Sequence, residues 1–200
     1  MSLYVKNFLK GLGENMKELS LNILDIAENS VKAGASLIEI LLTEENSLLT
    51  LIIRDDGCGM DKEVLEGVTN PFYTTRTTRK VGLGLPLLKM AAEQTGGTLT
   101  VTSVSDKEDK LNHGTSVTAV FHTDHIDFTP LGDVVSTVTT LIQGHPDFDF
   151  LFIHRNPDRE VVLDTREIRT VLEDVPLNSY DVIKWIEEFL NEQYFGPINE

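Results

Sequence analysis

Apolar and polar positions change period several times along the chain, and each change marks an element. In MKELSLNILDIAENSVKA (16–33), Leu19, Ile23, Ile26, Ala27 and Ser30 recur at helical spacing, with Leu24 and Val31 beside them. That spacing predicts a helix, and Gly34 suits the position just past its end. SLIEILLT (36–43) and SLLTLIIR (47–54) predict two strands joined by a short polar turn. Residues 61–67 predict a short helix, whereas 68–82 (VTNPFYTTRTTRKVG) follow no period and read as a loop. GLPLLKMAAEQTGG (84–97) predicts a helix stopped by paired glycines. TLTVTSVS (98–105) and TSVTAVFHT (115–123) predict β-branched strands on either side of a polar turn.

The pattern shifts after about residue 123. LGDVVSTVTTLIQG predicts a helix, FDFLFIHR (148–155) and EVVLD (160–164) a hairpin around NPDR, and TREIRTVLEDV and YDVIKWIEEFLNEQYF two more helices. The expected organisation is an N-terminal arm (1–15), a main domain (16–123) and a C-terminal module (124–200). In the last helix Trp185, Phe189, Tyr194 and Phe195 form an apolar stripe that reads as core before it reads as a partner groove.

Charge sharpens that division. Residues 1–123 carry 12 basic against 16 acidic side chains, and residues 124–200 carry 5 against 16, so −4 and −11 of the net −15 fall on the two parts. A surface this acidic argues against nucleic acid and anionic lipid as partners, since both demand clustered Lys and Arg. An anionic ligand must then be held by local positive charge, backbone N–H groups or a metal. Cys58 is the only cysteine, so no intrachain disulfide forms, which fits a reducing cytosol and a cytoplasmic protein. No apolar run approaches the roughly 18 residues of a membrane span.

Three clusters carry candidate chemistry. Asn22, Asp25 and Asn29 lie three and four residues apart on one face of an otherwise apolar helix. The face reads either as solvated or as a metal or nucleotide site. Asn29 offers a hard oxygen suited to Mg²⁺, Asp25 one turn earlier could orient a water, and Lys32 could reach a phosphate. The second cluster is RDDGCGM (54–60), two carboxylates and two glycines directly after a buried-looking strand. It reads either as a turn or as a ligand site, because a strand-end carboxylate beside exposed glycine backbone can accept a hydrogen bond from an exocyclic amine. The third is NPFYTTRTTRKVGLGLPLLKM, where Arg76, Arg79 and Lys80 precede Gly82 and Gly84 at a helix start. Backbone N–H groups there favour anions, and the alternative is an exposed charged loop. Neither a Walker A loop nor a dinucleotide-binding fingerprint is present.

Order and spacing together resemble the GHKL superfamily of ATP-binding domains, which includes histidine kinases, MutL mismatch-repair proteins, type II topoisomerases and Hsp90. LDIAENSVKAGA is similar to the N box, RDDGCGM to the first glycine box, PFYTTR to the histidine kinase F box, VGLGLPLLK to the second glycine box and GTSVTAVF (114–121) to the last strand. The resemblance covers about residues 16–123. It implies an α/β (α+β) two-layer sandwich, a mixed sheet with helices on one face, which is the Bergerat ATP-binding fold, here with a small α/β C-terminal extension. It also implies site roles. Asp55 would bind the adenine amine, Gly57 and Gly59 would shape the adenine pocket with Met60 lining it, and Thr115 would sit near the adenine. Asn29 would hold Mg²⁺, and Lys32 would contact phosphate. Phe72, Thr75 and Arg76 would belong to a lid, and Gly82, Leu83, Gly84 and Leu85 would cradle the phosphates. Asp25 stands where hydrolysing members carry Glu, and Lys80 where kinases usually carry a glycine.

Only 15 residues precede Met16, too few for the helical hairpin that bears a kinase's phospho-acceptor, and none of the five histidines lies in a convincing helix. The expectation is therefore a stand-alone Mg²⁺-ATP-binding protein, an ATPase or a protein kinase acting on a partner protein. The alternative is a nucleotide-gated binding module with little turnover. A homodimer is compatible with either.

Overall fold

The computed structural model describes residues 18–69 and 83–197. The helices are α1 (Leu19–Lys32), α2 (Lys62–Gly67), α3 (Gly84–Gln94), α4 (Val134–Gly144), α5 (Thr165–Leu172) and α6 (Tyr180–Phe195). The strands are β1 (Leu37–Glu45), β2 (Leu48–Asp55), β3 (Thr98–Val104), β4 (Gly114–His122), β5 (Asp149–Arg155) and β6 (Glu160–Asp164). Each described element expected from periodicity is present, and boundaries differ by a few residues. The six strands form one mixed sheet in the order β3-β4-β2-β1-β5-β6. β1 and β2 close a tight hairpin whose two turn residues, Asn46 and Ser47, both have positive φ (51° and 60°), the geometry that matches strand twist.

Alternation along the strands separates the two faces of the sheet. Ile38, Ile40 and Leu42 on β1 and Leu49, Leu51 and Ile53 on β2 are buried, as are Val117, Ala119 and Phe121 on β4. Between them lie Thr50, Ile52 and Thr118, only partly covered, on the opposite face. The buried face meets α1 through Leu19, Ile23, Ile26 and Ala27, and α3 through Leu85, Leu88 and Ala92. Residues after 123 add to the same sheet: β5 pairs parallel to β1, from Leu37 opposite Asp149 to Thr43 opposite Arg155. Phe150, Phe152, Val161, Leu163, Ile186 and Leu190 join the same hydrophobic core as α1. The fold is thus the expected mixed sheet with helices on one face. Among the described residues, no helix is long and apolar enough to cross a membrane.

In α6 the apolar stripe expected to be core is borne out only in part: Phe189 and Tyr194 pack against the core, and Trp185 and Phe195 do not. Val182, Ile186 and Leu190 face inward, while Trp185 is 49% and Phe195 81% exposed. The core set repeats every four residues from 182, and the aromatic residues start a quarter-turn away, so the stripe divides between two faces.

His154 on β5 is 4% exposed, with Nδ1 2.8 Å from the Tyr194 hydroxyl and Nε2 2.9 Å from Glu44 Oε1. An ionised carboxylate only accepts, so Nε2 carries the proton and Nδ1 accepts from Tyr194. Burial holds the His154 ring below its ordinary value of 6.5, against the upward pull of Glu44. A depressed folded-state value means this contribution to stability is intact above about pH 6.5 and is lost as pH falls through the lower folded value. Urea unfolding from pH 8 to pH 5 should therefore show stability declining below about 6.5, and a His154→Leu chain should show a shallower decline.

Candidate functional site

The "DDG" turn contains two carboxylates with different duties. Asp56 faces back along β1: its Oδ1 accepts the backbone N–H groups of Ser36 at 2.6 Å and Leu37 at 2.9 Å, and its Oδ2 accepts the Ser36 hydroxyl. Burial works against that charge, but these donors outweigh it and hold the Asp56 carboxyl below the usual range. Asp56 is thus the turn clasp. Asp55, one residue earlier and on the helix-covered face, accepts the Ser30 hydroxyl of α1 at 2.7 Å and the Gly57 N–H at 3.0 Å. Burial pushes the Asp55 carboxyl above its usual range, and donors from Ser30, Gly57 and Thr115 pull it part of the way back. These three donors do not exhaust the carboxylate's roughly four acceptor sites, so it can still accept from a further donor.

The backbone after Asp55 is shaped by close approaches. Gly59 has φ +64°, and a Cβ there would lie 1.9 Å from the Val104 carbonyl oxygen, so no larger residue fits. Ser103 ties this turn to the sheet. Met60 N–H donates to its Oγ at 2.8 Å, and that hydroxyl lies 2.9 Å from the Gly114 carbonyl and 3.0 Å from Thr115 Oγ1. The His113 ring nitrogen Nδ1 lies 2.6 Å from the Gly57 carbonyl and donates to it, since a carbonyl oxygen only accepts. Asp55, Gly57, Gly59, Met60 and Thr115 are therefore gathered at one end of β2 and β4.

The N box and the second glycine box also meet. Gly84 opens α3 with its Cα against Asp25, so closely that a Cβ would fall 2.0 Å from Asp25 Oδ2. Asp25 thereby sits at a helix N-terminus, where the free N–H groups favour negative charge. Pro86 in the first turn needs no hydrogen-bonded N–H, so it fits there without cost. Asn29 lies one turn along α1 from Asp25 and is half-buried, whereas Lys32 is exposed at the end of the helix. Leu85 is buried and Leu83 is 38% exposed. Phe72, Thr75, Arg76 and Gly82 lie outside the described residues.

α1 therefore touches both ends of the site: Ser30 bonds Asp55, and Asp25 abuts Gly84. The residues fit a nucleotide with a hard cation. Asp55 keeps acceptor capacity for an amine, and only a glycine leaves room beside Asp25 at the start of α3. Among the described residues no group of three His, Cys, Asp or Glu forms a metal cage, and Mg²⁺ needs none when phosphate and water complete its shell. Reading the sequence missed Ser30, Ser103 and His113 as site-building residues. Ser30 counted as one more member of the apolar spacing, and nothing local distinguishes a serine in a β-branched strand or a histidine in a polar turn.

The family model for histidine kinase-, DNA gyrase B- and HSP90-like ATPases matches residues 13–125. Sensor protein SrrB of Staphylococcus aureus is 35% identical over 95 residues, 45% of this chain and 16% of its own length. Sporulation kinase A of Bacillus subtilis is 27% identical over 100 residues, 50% of this chain and 16% of its own length. The chain thus spans about a sixth of these curated relatives. A solved N-terminal domain of a DNA repair protein superposes with TM-score 0.50 at 18% identity, over 90% of this chain and 57% of that one, a likeness of fold alone. The matched segment contains every motif described above, and the chain belongs to the histidine kinase-, DNA gyrase B- and HSP90-like ATPase family.

Proposed function

We propose that the chain binds Mg²⁺-ATP between α1, the end of β2 and the start of α3, and delivers the γ-phosphate to water or to a side chain of a partner protein. The observation that carries this reading is the double contact of α1, through Ser30 to Asp55 and through Asp25 to Gly84. In this reading Asp55 accepts from the adenine amine, Gly57 and Gly59 let the backbone approach the ring, and Met60 and Thr115 line it. Asn29 supplies an oxygen to Mg²⁺, which neutralises phosphate charge when bound. By the family resemblance, the backbone of Gly82, Leu83, Gly84 and Leu85 would serve the phosphates, and Lys32 with Phe72, Thr75 and Arg76 would complete that part of the site. Asp25 orients and deprotonates the attacking water, or joins Asn29 beside the metal. Positioning and charge neutralisation supply most of the catalysis in such a site.

A second reading, a nucleotide-gated binding module, is favoured by one contact. His145 at the end of α4 lies 2.7 Å from Glu28, the residue before Asn29, and so ties the acidic C-terminal segment to the nucleotide helix. Turnover separates the two readings: phosphate release or transfer to a partner supports the first, and binding without either supports the second.

Binding itself is tested by melting. At Mg²⁺-ATP one hundred times above Kd, linkage contributes about 2.7 kcal/mol, which for a chain of this size raises Tm by roughly 5–10 °C. A saturating titration that leaves Tm unmoved would overturn the proposal.

A further inference from the structure

α6 carries a surface that the ATP site does not use and that lies beyond the family match ending at residue 125. Asp181, Trp185, Glu188, Glu192 and Phe195 follow one another at spacings of three and four, so they share one side of the helix. Trp185 is 49% exposed, Phe195 is 81% exposed, and the three acids between and beside them are exposed as well. The Trp185 ring stacks on Phe189, with centroids 5.1 Å apart and planes inclined by 15°. Lys184, which reaches Glu188 at 3.7 Å, is the only cation on this helix. Exposed apolar surface rimmed by charged side chains is a feature of protein interaction sites. Trp and Phe are also the residue types that anchor protein interfaces.

We infer that this side of α6 is a docking surface for a basic amphipathic helix of a partner protein. Charge selects the occupant. Residues 124–200 carry 5 basic against 16 acidic side chains, so an acidic or neutral helix meets repulsion or unpaired carboxylates, while a basic one meets complementary charge. The spacing suits a helix laid alongside. Its apolar side chains cover Trp185 and Phe195, its Lys or Arg side chains pair with Asp181, Glu188 and Glu192, and a guanidinium can lie over the indole face.

Trp185 is the only tryptophan in the chain, so its emission reports on this surface directly. The full chain is titrated with an 18-residue Leu/Arg amphipathic helical peptide and, separately, with its Leu/Glu counterpart. The expected result is saturable binding of the Leu/Arg peptide with a blue shift of Trp185 emission, and no shift with Leu/Glu. A Glu188→Gln, Glu192→Gln, Phe195→Ala chain should bind the Leu/Arg peptide at least tenfold more weakly. All three side chains are exposed, so its circular dichroism and Tm should match the parent. A control chain neutralised near the β3 edge of the sheet, opposite β6 and α6, with Glu93→Gln and Glu108→Gln, should bind as the parent does. The inference is overturned if emission does not move, if both variants lose affinity equally, or if the α6 variant keeps parental affinity. Sedimentation showing a dimer of the parent chain that the α6 variant abolishes would also overturn it, because the occupant would then be a second copy.

Discussion

An Asp55→Asn chain should fold normally and bind ATP about a hundredfold more weakly. The fold survives because the amide oxygen can keep the Gly57 N–H that Asp55 Oδ1 now accepts at 3.0 Å. The new NH₂ then faces the Ser30 hydroxyl, which rotates from donor to acceptor. In the proposed pocket recognition should be lost, because the same NH₂ would confront the adenine amine and two donors would oppose each other. A hydrogen bond to a charged group is worth about 1.5–3 kcal/mol, and an unmatched polar group adds to the loss, so a factor near one hundred in Kd is expected. Calorimetric titration checks the affinity and thermal melting checks the fold. Parental affinity in this variant would remove Asp55 from the adenine pocket. Acidification should imitate the substitution. Because burial raises the Asp55 carboxyl, ATP affinity should begin to fall at a pH above the usual carboxylate range.

For Asp25→Asn the expected result is the converse: ATP affinity stays within a few-fold of the parent, and phosphate release drops by about 10²–10⁴, the usual contribution of a general base. The contact with Gly84 supplies an independent check. In Gly84→Ala the new Cβ would lie 2.0 Å from Asp25 Oδ2, so the carboxylate must swing away and turnover should fall without any change to Asp25 itself. Crowding of this kind costs about 1–3 kcal/mol of stability. In an Asp25→Ala background only the Asp25 Cβ remains, 3.4 Å from the added methyl, and the penalty should vanish. The stability cycle would then show strong coupling. If phosphate transfer to a partner survives Asp25→Asn, the acceptor supplies its own nucleophile and Asp25 serves the metal instead.

The sequence revealed the helix and strand order and the three motif clusters because each rests on short-range pattern: helical spacing from Leu19 to Ser30, alternation in β1 and β2, glycines before α3. What it hid is long-range or conformational. That β5 would pair parallel to β1 depends on a register between segments more than a hundred residues apart, which no local period encodes. The division of labour between Asp55 and Asp56 depends on which way each side chain points from the strand end, and a pair of adjacent aspartates looks the same either way. In α6, counting aromatic residues suggested core, but a quarter-turn of helix separates Trp185 from Ile186 and decides which of them is buried.

The parallel pairing of β5 with β1 bears on how this protein can be divided. β1 is an interior strand only because seven of its positions, Leu37 to Thr43, lie opposite β5. A fragment ending near residue 125, where the family match stops, would leave LIEILLT as a naked, mostly apolar border of the sheet. Such borders recruit other chains and drive aggregation. The acidic segment after residue 125 therefore acts as a built-in guard rail for the family-matched unit, and the two would have to be produced together to stay monodisperse.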